Sequence, residues 1–402
     1  MPMKNHHAVP AVVTDARLRM AVNIIRSLGR AGVPVTAVET AGRGNVLGFH
    51  SRYTRARVRL PLDSSAADLA AVASGAVYVP VSTAMVALLA RHQEQALSPV
   101  STLVPPTASL ALLHDKASCL KLARDKGLPV PATRVPAEEG VDPSDRSELL
   151  EWAASLTFPV IVKYRSGEDV GLPAAKRYLV CRTRDEVADG YLRLNSVQPG
   201  PIVQDYVDGG DVGLALLYDR HSEPVASFTY RSLRQRPRAG GPTTLAESVS
   251  LPTLVDYGKR LLDGLAWRGP VMLDFREDSR GGYHLLEVNP RFWGSLDLAV
   301  RSGVDFPLLY YLAALGLPLP RMEQRDGVRV RFFPNDFLSV FEYARAERAG
   351  PLQALGWLLE LANPALPDGL LALSDPAPGL LYLIGGLTRR RAGHHAIPGG
   401  WE

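Results

Sequence analysis

Residues 271 to 295 read VMLDFREDSRGGYHLLEVNPRFWGS, two apolar runs broken by DSRGG. Turn residues between two β-prone runs predict an antiparallel hairpin. With the turn centred between Arg280 and Gly281, Asp274 lies opposite Glu287. A side-chain period of two then puts Glu287 and Asn289 on one face and Leu286 and Val288 on the core face. Facing carboxylates repel unless one is protonated or a cation lies between them, and three convergent oxygen donors suit a hard divalent ion such as magnesium. The plain alternative is a polar hairpin with its acids in solvent, the commonest fate of Asp and Glu. A slip of one residue would also turn Asp274 to the other face. Arg291, just beyond the strands, adds a cation where charge gathers in phosphoryl transfer.

The rest of the chain must supply a body for this hairpin. At 402 residues it exceeds one ordinary core, which predicts two or three domains. Its 45 basic and 41 acidic residues leave a formal charge of +4, too even a balance to point to nucleic acid. Cys119 and Cys181 fall in no metal-spaced or paired motif, so free thiols in a reducing compartment are expected, with a disulfide as the minor alternative. The opening MPMKNHHAVPAVVTD lacks the apolar run of a secretory signal, and no run of about 18 apolar residues offers a membrane span. A cytoplasmic protein acting on small molecules is the expectation. His6, His7, His394 and His395 sit in polar ends and read as solvated rather than metal-binding.

Residues 8–14, a capped helical pattern from Asp15, and residues 33–39 form a βαβ unit, with a further strand at 76–80. The turn after the first strand, Thr14-Asp15-Ala16-Arg17, has no glycine, so a dinucleotide is not expected there. GRGNVLG (42–48) follows the second strand, misses the fingerprint spacing and reads as an ordinary loop. The proline-containing 98–107 marks a boundary. Beyond it the spacing predicts one helix running through Lys116, Lys121 and Lys126 and ending at Gly127, then strands within 158–167, 201–219 and 227–235. FLSVFEYARAERAG predicts a late helix, and GLLYLIGGLTRRRAGHH (379–395) is expected to dock on the protein's own body rather than on a membrane surface.

From these residues the chain resembles the ATP-grasp superfamily, in particular its carboxylate–amine ligase and predicted ATP-dependent carboligase branch. The resemblance covers about residues 105–318. EVNPR is a specific form of the family's Glu-x-Asn motif, and the resemblance implies that Asp274, Glu287 and Asn289 hold magnesium, or manganese, with ATP. Lys116 in HDKASC resembles the first nucleotide-binding lysine and Lys163 in VIVKY the second, on the lid. Taken singly, Lys116 would be a solvated helix lysine and Lys163 an edge-strand charge. VQDYVDGGD resembles the adenine hinge, which implies roles for Gln204, Tyr206 and Val207, with Asp211 at the ribose. YRSLRQRPRAGGPTT resembles a segment of this branch and would bring Arg231 and Arg234 to phosphate or the acyl substrate. One departure stands out. The lid loop, normally rich in glycine and serine, is here YRSGEDVGLPAAKRY, with only Gly167 and Gly171 and with Glu168 and Asp169 added.

The implied architecture is an α/β chain: a Rossmann-like pre-ATP-grasp domain (1–105), a two-subdomain α+β ATP-grasp fold (106–318, lid about 155–207) and a C-terminal extension (319–402). The implied reaction activates a carboxylate as an acyl phosphate, forms ADP, and joins the acyl group to an amine or another nucleophile. Arg291, Arg231 and Arg234 are the candidate catalytic residues. Phosphorylation or carboxylation of another acceptor, or ATP binding without turnover, are the competing readings. Expected partners are a small carboxylate and an amine, with no nucleic acid or membrane span and with a homodimer compatible.

Overall fold

A computed structural model of the protein describes residues 8–40, 44–95, 101–172, 176–238, 240–346, 350–363 and 365–391. His6, His7, His394 and His395 lie outside the described residues, as do parts of the 42–48 and 98–107 segments.

The first sheet is parallel. It comprises β1 (Ala11–Val13), β2 (Val35–Glu39), β3 (Thr54–Arg59) and β4 (Val77–Val79), in the order β3-β2-β1-β4. β3, TRARVR, gives no apolar alternation because it is an exposed edge strand whose arginines blunt that edge. After β1 the chain turns at Asp15 (φ 51°), whose carboxylate accepts the Thr14 hydroxyl and the Ser82 N–H at 2.8 and 3.0 Å. The protein's own acid therefore occupies the turn where a glycine-rich phosphate loop would lie. The following helix, Arg19–Arg30, is buried along most of its length, and its Arg26 reaches Asp375 at 2.9 Å and the Leu370 carbonyl at 2.7 Å. Tyr382, in the late helix Pro376–Arg391, packs against Val22 and Leu47, so this segment does dock on the body. Among the described residues no helix is long and apolar enough to cross a membrane.

The second sheet is antiparallel: β5 (Thr133–Arg134), β6 (Val160–Lys163), β7 (Tyr178–Cys181) and β8 (Ile202–Asp205), ordered β5-β8-β6-β7. Val160 and Val162 pack with Val187, Tyr191 and Leu194 of the helix Arg184–Asn195. The alternation turns Ile161 and Lys163 to the opposite face.

The third sheet is antiparallel and six-stranded. β9 (Gly209–Tyr218), β10 (Pro224–Gln235), β11 (Thr243–Ser248), β12 (Gly269–Asp278), β13 (Tyr283–Asn289) and β14 (Arg329–Arg331) run in the order β13-β12-β9-β10-β11-β14. One face carries Leu214, Leu216, Leu273 and Phe275, packed with Leu254 and Leu261 of the helix Pro252–Leu262. Gly258 permits that approach, since a Cβ there would lie 2.4 Å from the Leu214 side chain. β14 shows that chain beyond residue 318 completes this sheet.

The predicted single helix through Lys116, Lys121 and Lys126 is instead two, Thr107–His114 and Lys116–Asp125. Asp115 breaks it: the residue is extended, and its carboxylate caps the second helix by accepting the Ser118 N–H at 2.8 Å. Lys116 thus becomes the first residue of a helix. Cys119 and Cys181 are free and buried, which excludes the disulfide alternative.

Candidate functional site

β12 and β13 pair with Asp274 opposite Glu287 and Met272 opposite Asn289. The turn, however, is centred on Arg280, one step from the expected place, because Glu277 faces Tyr283. Asp278 holds it by accepting the Arg280 and Gly282 N–H groups at 2.8 and 2.9 Å. Continued without interruption, that register would set Asp274 against Leu286. A bulge between Asp274 and Phe275 adds one residue to β13 and restores the acid pair. The expectation that Leu286 packs in the core is therefore corrected. Leu285 and Val288 are buried, while Leu286 lines the cleft beside Glu287.

The cleft lies between the second and third sheets and brings together Lys116, Lys163, Asp274, Glu287, Asn289 and Arg291. Lys116 Nζ is 3.0 Å from Glu287 Oε2, and Asn289 Nδ2 donates to Asp274 Oδ2 at 3.0 Å. Burial and the facing Glu287 push the Asp274 carboxyl well above its ordinary range. Burial would raise Glu287 too, but Lys116 and Lys163 outweigh it and hold that carboxyl low. Lys163 Nζ donates to the Leu286 carbonyl at 3.3 Å, and burial lowers its pKa to about 8 against the pull of Glu287. Gly213 is the neighbour of both Asp274 and Tyr230 across β9. A Cβ there would sit 2.3 Å from the Tyr230 ring, so glycine lets the tyrosine lie beside the acid.

Several residues not among the expected site residues complete the cleft. Glu168, in the loop after β6, accepts from Arg291 Nε at 2.9 Å and from the Thr83 hydroxyl at 2.7 Å. Burial would raise its carboxyl, yet Arg291 holds it at about 2. The neighbouring Asp169 pairs with His114 at 3.0 Å, so both acids of this glycine-poor loop have partners outside it. Arg276 pairs with Asp211 and donates to the Val207 carbonyl at 3.4 Å. Arg19 and Trp293 line the far end. The alternation around Arg276 and the NPRFW run held signals for two of these residues; Glu168 and Arg19 become visible only through distant partners.

The other candidates divide. Tyr206 and Asp211 line the cleft, with Asp211 also bonded by Gln235. Gln204 is buried and donates to the Thr133 hydroxyl at 2.8 Å, away from the cleft lining, and the Val207 carbonyl is engaged by Arg276. Arg231 and Arg234 do not reach the cleft. On β10, Tyr230 and Ser232 face it, so the pleat turns Arg231 to the other side, where it meets Glu277 at 2.8 Å. Arg234 lies among register shifts and forms a two-pronged pair with buried Asp336, 2.8 Å at each contact, plus a contact with Glu360. Its charge is consumed in holding the helix Asn335–Ala346.

Residues 227–334, which contain the acid-bearing hairpin, match the family model described as ATP-grasp in the biosynthetic pathway with Ter operon. No curated protein matches the chain in sequence. Among solved structures, the biotin carboxylase domain of 2-oxoglutarate carboxylase from Hydrogenobacter thermophilus, in complex with MgADP, ADP and bicarbonate, is similar: TM-score 0.63, 16% identity, 81% of this chain and 74% of that one. N5-carboxyaminoimidazole synthetase from Staphylococcus aureus complexed with ADP is similar at TM-score 0.63 and 12% identity, over 85% of this chain and 89% of that one. N5-carboxyaminoimidazole ribonucleotide synthetase from Thermus thermophilus gives TM-score 0.59 and 17% identity, over 78% and 81%. The family model thus falls on the acidic hairpin, and the chain shares its fold with these solved structures over most of its length.

Proposed function

We propose that the protein is an ATP-dependent, ADP-forming ligase that activates a carboxylate as an acyl phosphate and transfers the acyl group to an amine or another nucleophile. The observation that carries this reading is the meeting of Lys116, Lys163, Asp274, Glu287, Asn289 and Arg291 in one cleft. The nucleotide complexes of the structural relatives support it by analogy of fold.

The donor set fits a divalent cation. Asp274 and Glu287 face each other with Asn289 as an amide donor, and their mutual repulsion is what an ion between them would relieve. Asp274, Glu287 and Asn289 would hold magnesium, which when bound supplies neutralisation of phosphate charge.

The chain's own residues do the rest. Lys163, on the second sheet, and Lys116, at the start of its helix, bind phosphate oxygens from two sides. Tyr206 bounds the base, and Asp211, fixed by Arg276, offers an acceptor to the ribose. Arg291 orients the substrate carboxylate for in-line attack on the γ-phosphorus and steadies the acyl phosphate. The lid loop, anchored through Glu168 and Asp169, excludes the water that would hydrolyse that intermediate. Displacement by an amine releases phosphate and leaves an amide.

The test is ADP and phosphate release from purified protein with Mg-ATP against pooled carboxylic acids and amines, with mass spectrometry of the products. Glu287→Gln should reduce turnover at least about tenfold while the protein stays folded, since a lost ligand costs more than about 1.4 kcal/mol of transition-state stabilisation. Unchanged turnover would remove the assignment of the hairpin.

A further inference from the structure

Arg291 is already engaged where an incoming acid would have to meet it. Its Nη1 donates to the Phe292 carbonyl at 2.8 Å, and its Nε and Nη2 both meet a single oxygen of Glu168, Oε1. The other oxygen of that carboxylate, Oε2, accepts the Thr83 hydroxyl at 2.7 Å. Arg291 is 5% exposed and the Glu168 side chain 16%, so solvent screens the pair little. In one respect the pair falls short of an arginine–carboxylate fork, which gives one oxygen to each N–H. Glu168 gives one oxygen to both, because Thr83 keeps the other. A free carboxylate set in the same place has both oxygens to offer. What favours Glu168 is its tether, since a group carried on the chain competes at an effective concentration of roughly millimolar or more. The loop that carries it is moored on both sides, by Arg165 to Asp115 at 2.7 Å, by the Ser166 N–H to Gln198 at 3.1 Å and by Asp169 to His114 at 3.0 Å. Glu168 itself lines both the cleft and a second cavity of about 730 Å³, whose wall includes Thr83 and Arg91. Its side chain therefore has room to turn while the loop keeps its moorings.

Resting on the ligase reading above, we infer that Glu168 occupies on Arg291 the place of the substrate carboxylate and thereby decides which acids the cleft accepts. An acid enters by exchange: its two oxygens take the Nε and Nη2 hydrogens of Arg291, and Glu168 turns towards Thr83 and the second cavity. A small carboxylate gains the arginine contact alone and loses to the tethered one. An acid whose body also packs or hydrogen-bonds elsewhere in the cleft adds the free energy that exchange requires. Glu168 is thus a specificity-determining residue that refuses small carboxylates, while Arg291 keeps its part in the transfer.

The probes are acetate and its neutral isostere acetamide, titrated into the full chain saturated with magnesium and a non-hydrolysable ATP analogue, with binding read from their methyl proton signals. Wild type should bind acetate barely better than acetamide. Glu168→Gln should bind acetate at least about tenfold more tightly than wild type, with no gain for acetamide. Glu168→Asp, which keeps a carboxylate on the loop, should return acetate affinity towards the wild-type value. Adding Arg291→Lys to Glu168→Gln should abolish the gain, because an ammonium offers no fork. One arm needs no variant: in wild type, concentrated acetate should speed amide exchange of residues 166–169 more than sodium chloride of equal ionic strength. Acetate affinity unchanged by Glu168→Gln, a gain shared by acetamide or surviving Arg291→Lys, or loop exchange alike in acetate and chloride would overturn the inference and leave the ligase reading standing. Failure of the ATP analogue to bind wild-type protein would sink the ligase reading, and the inference with it.

Discussion

Replacing Glu168 with glutamine removes a charge from the loop after β6 and leaves the side chain's shape. The side chain is 16% exposed, accepts from Arg291 and Thr83, and has its pKa held at about 2 against an ordinary 4.5. A depression of that size corresponds to roughly 3 kcal/mol of preference for the docked, ionised carboxylate. The folded-state pKa is depressed, so this stabilisation is complete above the unfolded value near 4.5. It fades as pH falls through that value towards 2. At pH 7, Glu168→Gln should therefore lose most of it and leave Arg291, 5% exposed, with a weaker partner. The loss is expected first in local opening, because the loop can leave the body without unfolding the sheets. Amide hydrogen exchange over residues 164–172 should accelerate by one to two orders of magnitude at pH 7, while the core strands exchange as in wild type. Urea unfolding of the two proteins should converge as pH is lowered from 5 towards 3. Identical loop exchange in the two proteins, or a stability difference that does not narrow with falling pH, would refute the electrostatic account of the latch.

Three further outcomes follow from the same structure. Lys163 has its pKa lowered to about 8, so its charge is complete below that value; affinity for an ATP analogue should fall several-fold from pH 7 to pH 9 in wild type and stay flatter in Lys163→Gln, as read by calorimetry. Asp336→Ala strands most of the Arg234 charge in a 5%-exposed position and should destabilise by about 3 kcal/mol in urea titration, less if Glu360 swings in to compensate. Gly213→Ala drives a methyl into the Tyr230 ring, a contact of 2.3 Å before relaxation, and should cost about 1–3 kcal/mol in thermal denaturation.

How far the sequence exposes this site depends on how local each contact is. Asp274, Glu287 and Asn289 sit on two strands joined by a short turn, where period-two alternation is a strong constraint, and VIVK at β6 reads in the same way. Arg231 and Arg234 fail the test of locality. Arg231 follows the pleat of β10 to Glu277 on the next strand but one, while the facing of Arg234 depends on register shifts within β10 and on an acid about a hundred residues later in Asp336, none of which a run of arginines before Gly-Gly reveals. The acids of the lid loop look like a departure from a glycine-rich pattern until Arg291, Thr83 and His114 are seen beside them. Arg19 has the local pattern of any arginine at the start of a helix, and only the folding of Phe332 beneath it distinguishes it.

The bulge at Leu286 shows why the acid pair can persist at all. Two facing buried carboxylates weaken the strands that carry them, and β13 is an edge strand of its sheet. The extra residue turns the Leu286 carbonyl to Lys163 and sets Glu287 beside Lys116, so the distortion that creates the repulsion also recruits two cations to it. Glu168 holds Arg291 and Glu287 holds Lys116, so two of the cations that would meet a triphosphate are already engaged by carboxylates. Under the ligase reading, nucleotide can enter with full charge only if it brings a divalent cation for Asp274 and Glu287, which frees Lys116 for phosphate. The coupling has a measurable sign. Magnesium should tighten nucleotide binding in wild type, and Glu287→Gln, which releases Lys116 without any metal, should reduce that dependence on magnesium.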